Sequence, residues 1–131
     1  MSARTLFSIV ESPAHPDFSG LYKRLDIRET RLASMRKAIS ALKTNTPDYV
    51  VAEFFYGYGN NYAGVNVSNL DVFLYSLQKY APDARVIVLV DRRERQYAQK
   101  LAALFRLHAI LQHPLCEQDI EPLLADQQQS K

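Results

Sequence analysis

Two glutamates stand at the ends of strand-like apolar runs. Glu11 follows Leu6-Phe7-Ser8-Ile9-Val10, and Glu53 follows Tyr49-Val50-Val51-Ala52. In an open parallel sheet the carboxyl ends of the strands line the ligand crevice, so two carboxylates there are the residue types of a cation-holding or phosphoryl-accepting site. The remaining chemistry-bearing residues are less organised. His15, His108 and His113 lack zinc-ligand spacing, and no His-Asp relay is placed beside Cys116. Ser8 and Ser12 lack a nucleophile-elbow context. Gly57-Tyr58-Gly59 has neither the third glycine nor the following helix start of a dinucleotide motif, and no Walker pattern occurs. No catalytic constellation, metal site or cofactor is therefore expected.

For the two carboxylates to meet, their strands must lie in one sheet. Val86-Ile87-Val88-Leu89-Val90 is continuously apolar, as in a central parallel strand covered on both faces, and Thr5 to Val10 and Tyr49 to Phe54 read similarly. Leu25 to Arg28 alternates as a short edge strand, and Ala109 to Leu111 fits a last strand. Leu32, Met35, Ile39 and Leu42 recur at helical spacing before Thr46-Pro47; Leu70, Phe73, Leu74, Leu77 and Tyr80 do so before Pro82. Tyr97, Leu101, Leu104, Phe105 and His108 form a third stripe, opened by Asp91 as a cap with Glu94 reaching back as a capping box. A short helix falls within Asp17 to Leu25, and another in Ile120 to Ala125, with Pro122 placed in its first turn. Right-handed crossovers then predict an α/β fold: a doubly wound, five-stranded parallel sheet of flavodoxin-like order 2-1-3-4-5.

The 131 residues suit one domain, 1–126, with 127–131 as a polar tail. Hydrophobic and charged contents of 47% and 23% are those of an ordinary globular chain, and no run reaches the ~20 apolar residues of a membrane span. No secretory signal is visible at the start, and a single cysteine cannot form an internal disulfide, so a cytoplasmic location is expected. The net charge of +2 arises from interspersed residues, with basic density in Lys23 to Lys43 and at Arg92, Arg93 and Arg95. These read as solvated helix faces, and neither nucleic acid nor membrane insertion is expected.

Over nearly its whole length the chain resembles the receiver domain of bacterial two-component response regulators. Pro47-Asp48 followed by Tyr49 to Glu53 resembles the strand that ends in the phosphoacceptor aspartate, Pro82-Asp83-Ala84-Arg85 followed by Val86 to Val90 resembles the fourth strand, and Leu107 to Leu115 resembles the last, which in receivers ends in Lys-Pro. The resemblance implies a magnesium site of two acidic residues and the acceptor, with a Thr or Ser and a Lys on the phosphoryl oxygens. Here the acidic pair is Glu11-Ser12, the acceptor Glu53, the hydroxyl position Val90, the lysine His113 and the aromatic switch position Ile110. Glutamate carries one methylene more than aspartate, which displaces the carboxylate in a chemistry that depends on positioning within fractions of an ångström. The reading is a degenerate pseudo-receiver, not an enzyme. As a relic or as a mimic of phosphorylated aspartate, Glu53 has no Lys or Thr to pair with.

The longest departure is 55–69, which holds Tyr56, Tyr58 and Tyr62 and three of the four glycines. Tyrosines supply rigid amphipathic contact area and glycines permit close approach. The segment either packs back to close a vacated pocket, recognises a partner or binds a small ligand. The function expected is a stand-alone, non-catalytic protein interaction module in bacterial signal transduction, with Tyr56, Tyr58, Tyr62, Tyr97, Leu101 and Leu104 as candidate partner-binding residues and room for a homodimer near Leu104, Leu107 and Leu123. The alternatives are an atypical phosphoryl-accepting regulator using Glu53, and a small-ligand-binding protein of the same fold using the 55–69 loop.

Overall fold

A computed structural model describes residues 4–13, 15–56 and 68–125. Strands β1 (Arg4–Ile9), β2 (Ile27–Leu32), β3 (Tyr49–Glu53), β4 (Arg85–Val90) and β5 (Ala109–Gln112) alternate with helices α1 (Ser19–Arg24), α2 (Met35–Leu42), α3 (Asp71–Tyr80), α4 (Arg95–Leu104) and α5 (Glu117–Ala125). All strand pairs are parallel, in the order β2-β1-β3-β4-β5. The expected fold class and strand order are those observed.

The two-residue period of the strands divides the core in two. Phe7, Ile9, Val50, Ala52, Val86, Val88 and Val90 face one layer with α2, α3 and α4. Leu6, Tyr49, Val51, Ile87 and Leu89 face the other with α1 and α5. Burial on both faces explains the near-continuous apolar runs of β3 and β4. Arg4 and Tyr49 join the lower edge of this second layer to its helices. The Arg4 guanidinium donates to the carbonyls of Leu124 and, at 3.0 Å, Leu25, while the Tyr49 hydroxyl donates to Leu124 O at 3.0 Å.

Several local expectations change. Leu25 and Asp26 belong to the turn after α1, where Asp26 has φ of 61°, and the edge strand runs from Ile27 to Leu32. Leu32 is thus a strand residue in register with Ile9, and α2 starts after Ser34, whose side chain accepts from the Lys37 N–H at 3.2 Å. No capping box forms at α4. A 3₁₀ turn at Arg92–Glu94 intervenes, Asp91 is held by Arg93 at 3.1 Å, and the Glu94 carboxylate accepts the Tyr56 N–H. Leu101 is fully buried in the core rather than available to a partner, and His108 lies beyond α4, its N–H bonded to Val86 O. Pro122 is the sixth residue of α5, not in its first turn. Asp119 accepts the Cys116 N–H at 2.7 Å and so fixes the helix start well ahead of the proline, letting Ile120 and Leu124 bury one turn apart. No helix among the described residues is long and apolar enough to cross a membrane. The tail 127–131 lies outside the described residues.

Candidate functional site

The parallel sheet brings the ends of β1, β3, β4 and β5 to one edge, so Glu11, Ser12, Glu53, Asp91 and His113 converge there as a consequence of register: Ile9 pairs with Ala52, Glu53 with Leu89, and Val90 with Gln112. Glu53 continues the face of Tyr49 and Val51, which is the α1 side, and its side chain therefore leans toward the turn that joins β1 to α1.

That turn surrounds the carboxylate. Glu53 is 2% exposed. Its Oε2 accepts from the backbone N–H of Glu11 at 2.8 Å, the N–H of Ser12 at 3.2 Å and Nδ1 of His15 at 3.1 Å, and its Oε1 accepts from the Ser12 hydroxyl. His15 is itself buried, and its N–H closes the turn on Ser12 O at 3.2 Å. Burial alone would push the Glu53 carboxyl up. The hydrogen bonds from His15, Ser12 and the Glu11 N–H, together with the His15 charge, outweigh it and hold the group below its ordinary 4.5. Glu11 moves the other way: burial raises it, the Asn69 hydrogen bond offsets part of this, and the negative charge of Glu53 adds to the rise. The two carboxylates thus differ in kind, one held ionised and the other pushed toward neutrality.

Asn69 ties this pair to the long loop. Its Nδ2 donates to Glu11 Oε1 and to the backbone carbonyl of Glu53, each at 2.9 Å, and its Oδ1 accepts from the Phe55 N–H at 2.8 Å. Tyr56 bridges to Ser68 in antiparallel fashion, donates its N–H to Glu94 Oε1 at 3.1 Å and stacks on Tyr97 with ring centroids 3.8 Å apart. Both ends of the 55–69 segment are therefore anchored beside Glu53, and Glu94, which has no capping role, helps to anchor them. Tyr58 and Tyr62 lie outside the described residues.

The other predicted positions separate. Val90 is fully buried in the α2–α4 core, and Ile110 packs against that same layer. His113 lines an open cavity of about 400 Å³ with Ser12, Glu53, Phe55, Arg93 and Glu94. Tyr97 is half-buried beneath Tyr56, whereas Tyr56 and Leu104 are exposed at 45% and 54%. Sequence reasoning weighed His15 only as a zinc ligand and passed over Asn69. The short spacing from Glu11 to His15 within a proline-containing turn is the one signal that could have brought His15 forward.

The donor set does not fit magnesium, which takes oxygen ligands at about 2.0–2.1 Å in near-octahedral array. Every contact to the Glu53 oxygens named above comes from an N–H or O–H, and Glu11 Oε1 faces an amide NH₂. A cation would have to displace these donors and sit beside an imidazole.

No protein-family model matches the chain, and no curated protein matches it. Solved structures do. A CheY-like receiver domain protein from Methanospirillum hungatei is 8% identical with a TM-score of 0.70, over 95% of this chain and 91% of that one. A receiver domain protein from Clostridium thermocellum is 17% identical with a TM-score of 0.65, over 93% and 90%. A Burkholderia pseudomallei response regulator, solved with a phosphorylated aspartic acid, calcium ion and citrate, is 17% identical with a TM-score of 0.63, over 94% and 67%. The fold of this chain is that of the response-regulator receiver domains.

Proposed function

We propose that the chain is a pseudo-receiver: a receiver fold that serves response-regulator-type signalling as a protein interaction module and accepts no phosphoryl group. The observation that carries this reading is the state of Glu53, whose two oxygens are occupied by Ser12, His15 and the N–H groups of Glu11 and Ser12. A carboxylate so engaged is neither a free nucleophile nor a metal ligand. Val90 adds no hydroxyl and His113 no ammonium at the positions where the phosphoryl charge would be compensated. Ser12, His15 and Glu53 are also the residue types of a hydrolase triad, but the acid accepts from both partners, whereas a relay needs the imidazole between serine and acid. The surface best suited to a partner is the stacked Tyr56–Tyr97 pair, because an exposed ring already held in place loses little freedom on binding.

The test is incubation with acetyl phosphate and magnesium followed by intact-mass and peptide mass spectrometry, beside a receiver that carries the aspartate. The expected result is an adduct on the control and none here. A magnesium-dependent phosphoryl group on Glu53 would refute the proposal.

A further inference from the structure

At the end of the sheet opposite Glu53, α3 and α4 part over an apolar slot of about 270 Å³ walled by Leu74, Leu77, Ala81, Val86 and Phe105. Ala84 and Arg106 are shared with a wider cleft of about 640 Å³ that runs on past Asp83, Arg85 and His108. The lip of the slot is apolar too. Tyr75, 58% exposed, meets the Phe105 ring edge-on at 4.9 Å, and Leu104 beside it is 54% exposed. The charge lining this surface is lopsided: Arg85 and Arg106 stand against Asp83. Arg106 is exposed and has no ion-pair or hydrogen-bond partner among the described residues.

We infer that this slot docks an acidic amphipathic segment of a partner protein, with one large apolar side chain in the slot and a carboxylate on Arg106. The slot is smaller than the roughly 300–1,000 Å³ of small-molecule sites and lies between two helix ends, which suits a peptide anchor. The surface is at the far edge of the sheet from the carboxylate crevice, so it goes beyond the pseudo-receiver reading and stands or falls without it.

Backbone-amide NMR titration tests the assignment, using a short synthetic peptide with Leu and Phe at helical spacing and Glu between them, and a control peptide with Lys in place of Glu. The acidic peptide is expected to shift amides within 74–86 and 104–108, and the lysine peptide to leave them in place. Arg106→Glu should weaken binding about ten-fold or more with an unchanged melt, since Arg106 is exposed; Tyr75→Ser should weaken it as well, with a lowered melt from loss of its contact with Phe105. Equal binding of the two peptides, no binding at millimolar peptide, or shifts confined to the Tyr56–Tyr97 surface would overturn the inference. Concentration-dependent shifts at these same residues without peptide would assign the slot to a second copy and overturn it too.

Discussion

Replacing Glu53 by glutamine changes almost no volume and removes one charge, which makes it the sharpest probe of the turn around it. In the native protein three donors converge on Oε2 and the Ser12 hydroxyl on Oε1. Hydrogen bonds to a charged acceptor contribute about 1.5–3 kcal/mol each and neutral ones about 0.5–1.5, so loss of charge assistance costs roughly 1 kcal/mol per bond. Counting the three bonds to Oε2, and letting the new amide NH₂ donate to Ser12, gives a destabilisation of about 3 kcal/mol. That is a large share of the roughly 5–15 kcal/mol of a small domain, and for this chain length it lowers the melting temperature by about 10–15 °C. Circular-dichroism melts and urea titrations at neutral pH supply the measurement. The pH dependence gives a second, independent reading. Because the folded Glu53 carboxyl lies below its ordinary 4.5, its contribution is fully present above that value and is lost as pH falls through the folded value. Glu11 has the opposite sign, its folded value being raised, and the part of that rise that comes from the Glu53 charge is removed by the substitution. The Glu53 share of the stability difference between wild type and Glu53→Gln should therefore be lost as pH falls below about 4.5. A difference within about 0.5 kcal/mol at neutral pH, or one that is undiminished at the acid end of the titration, would refute the reasoning.

Asn69→Leu keeps the size of the side chain but leaves the Phe55 N–H, Glu11 Oε1 and the Glu53 carbonyl without their shared partner; a loss of about 2–4 kcal/mol is expected, read as a lower urea midpoint at unchanged slope. Arg4→Met keeps the aliphatic stem and removes the donors to Leu124 and Leu25; about 1–3 kcal/mol should be lost, with faster amide exchange concentrated at the end of α5.

Wherever burial is strong on both faces, the chain could be read directly. Val86 to Val90 and Tyr49 to Ala52 are fixed as central strands because both sides of each meet helices. The edge is harder. In β2 the sequence Arg28-Glu29-Thr30-Arg31 is half-exposed, so no apolar run marked where the strand ended, and Leu32 was drawn into the following helix. At α5 the proline was visible but the Asp119–Cys116 bond that starts the helix earlier was not. The same division holds for the site. Glu11 and Glu53 were legible because strand ends place them, whereas their partners reach across irregular turns: His15 lies 38 residues from Glu53 and Asn69 16 residues from it, with no periodicity to connect them.

Ser12 and Glu53 are physically coupled. An acid at position 12 would sit within hydrogen-bond reach of the Glu53 carboxylate, and two ionised groups at that distance repel unless a cation stands between them. Serine at that position donates a hydrogen bond to Oε1 instead, and the backbone N–H groups of Glu11 and Ser12 turn inward to share Oε2. The extra methylene of glutamate then has a positive role. Rather than misplacing a nucleophile, it carries the carboxylate onto the turn and to His15, where an aspartate on the same strand would fall short by about the length of one carbon–carbon bond. Ser12 and Glu53 thus act together from two strands. The turn after β1 is held by the Glu53 side chain.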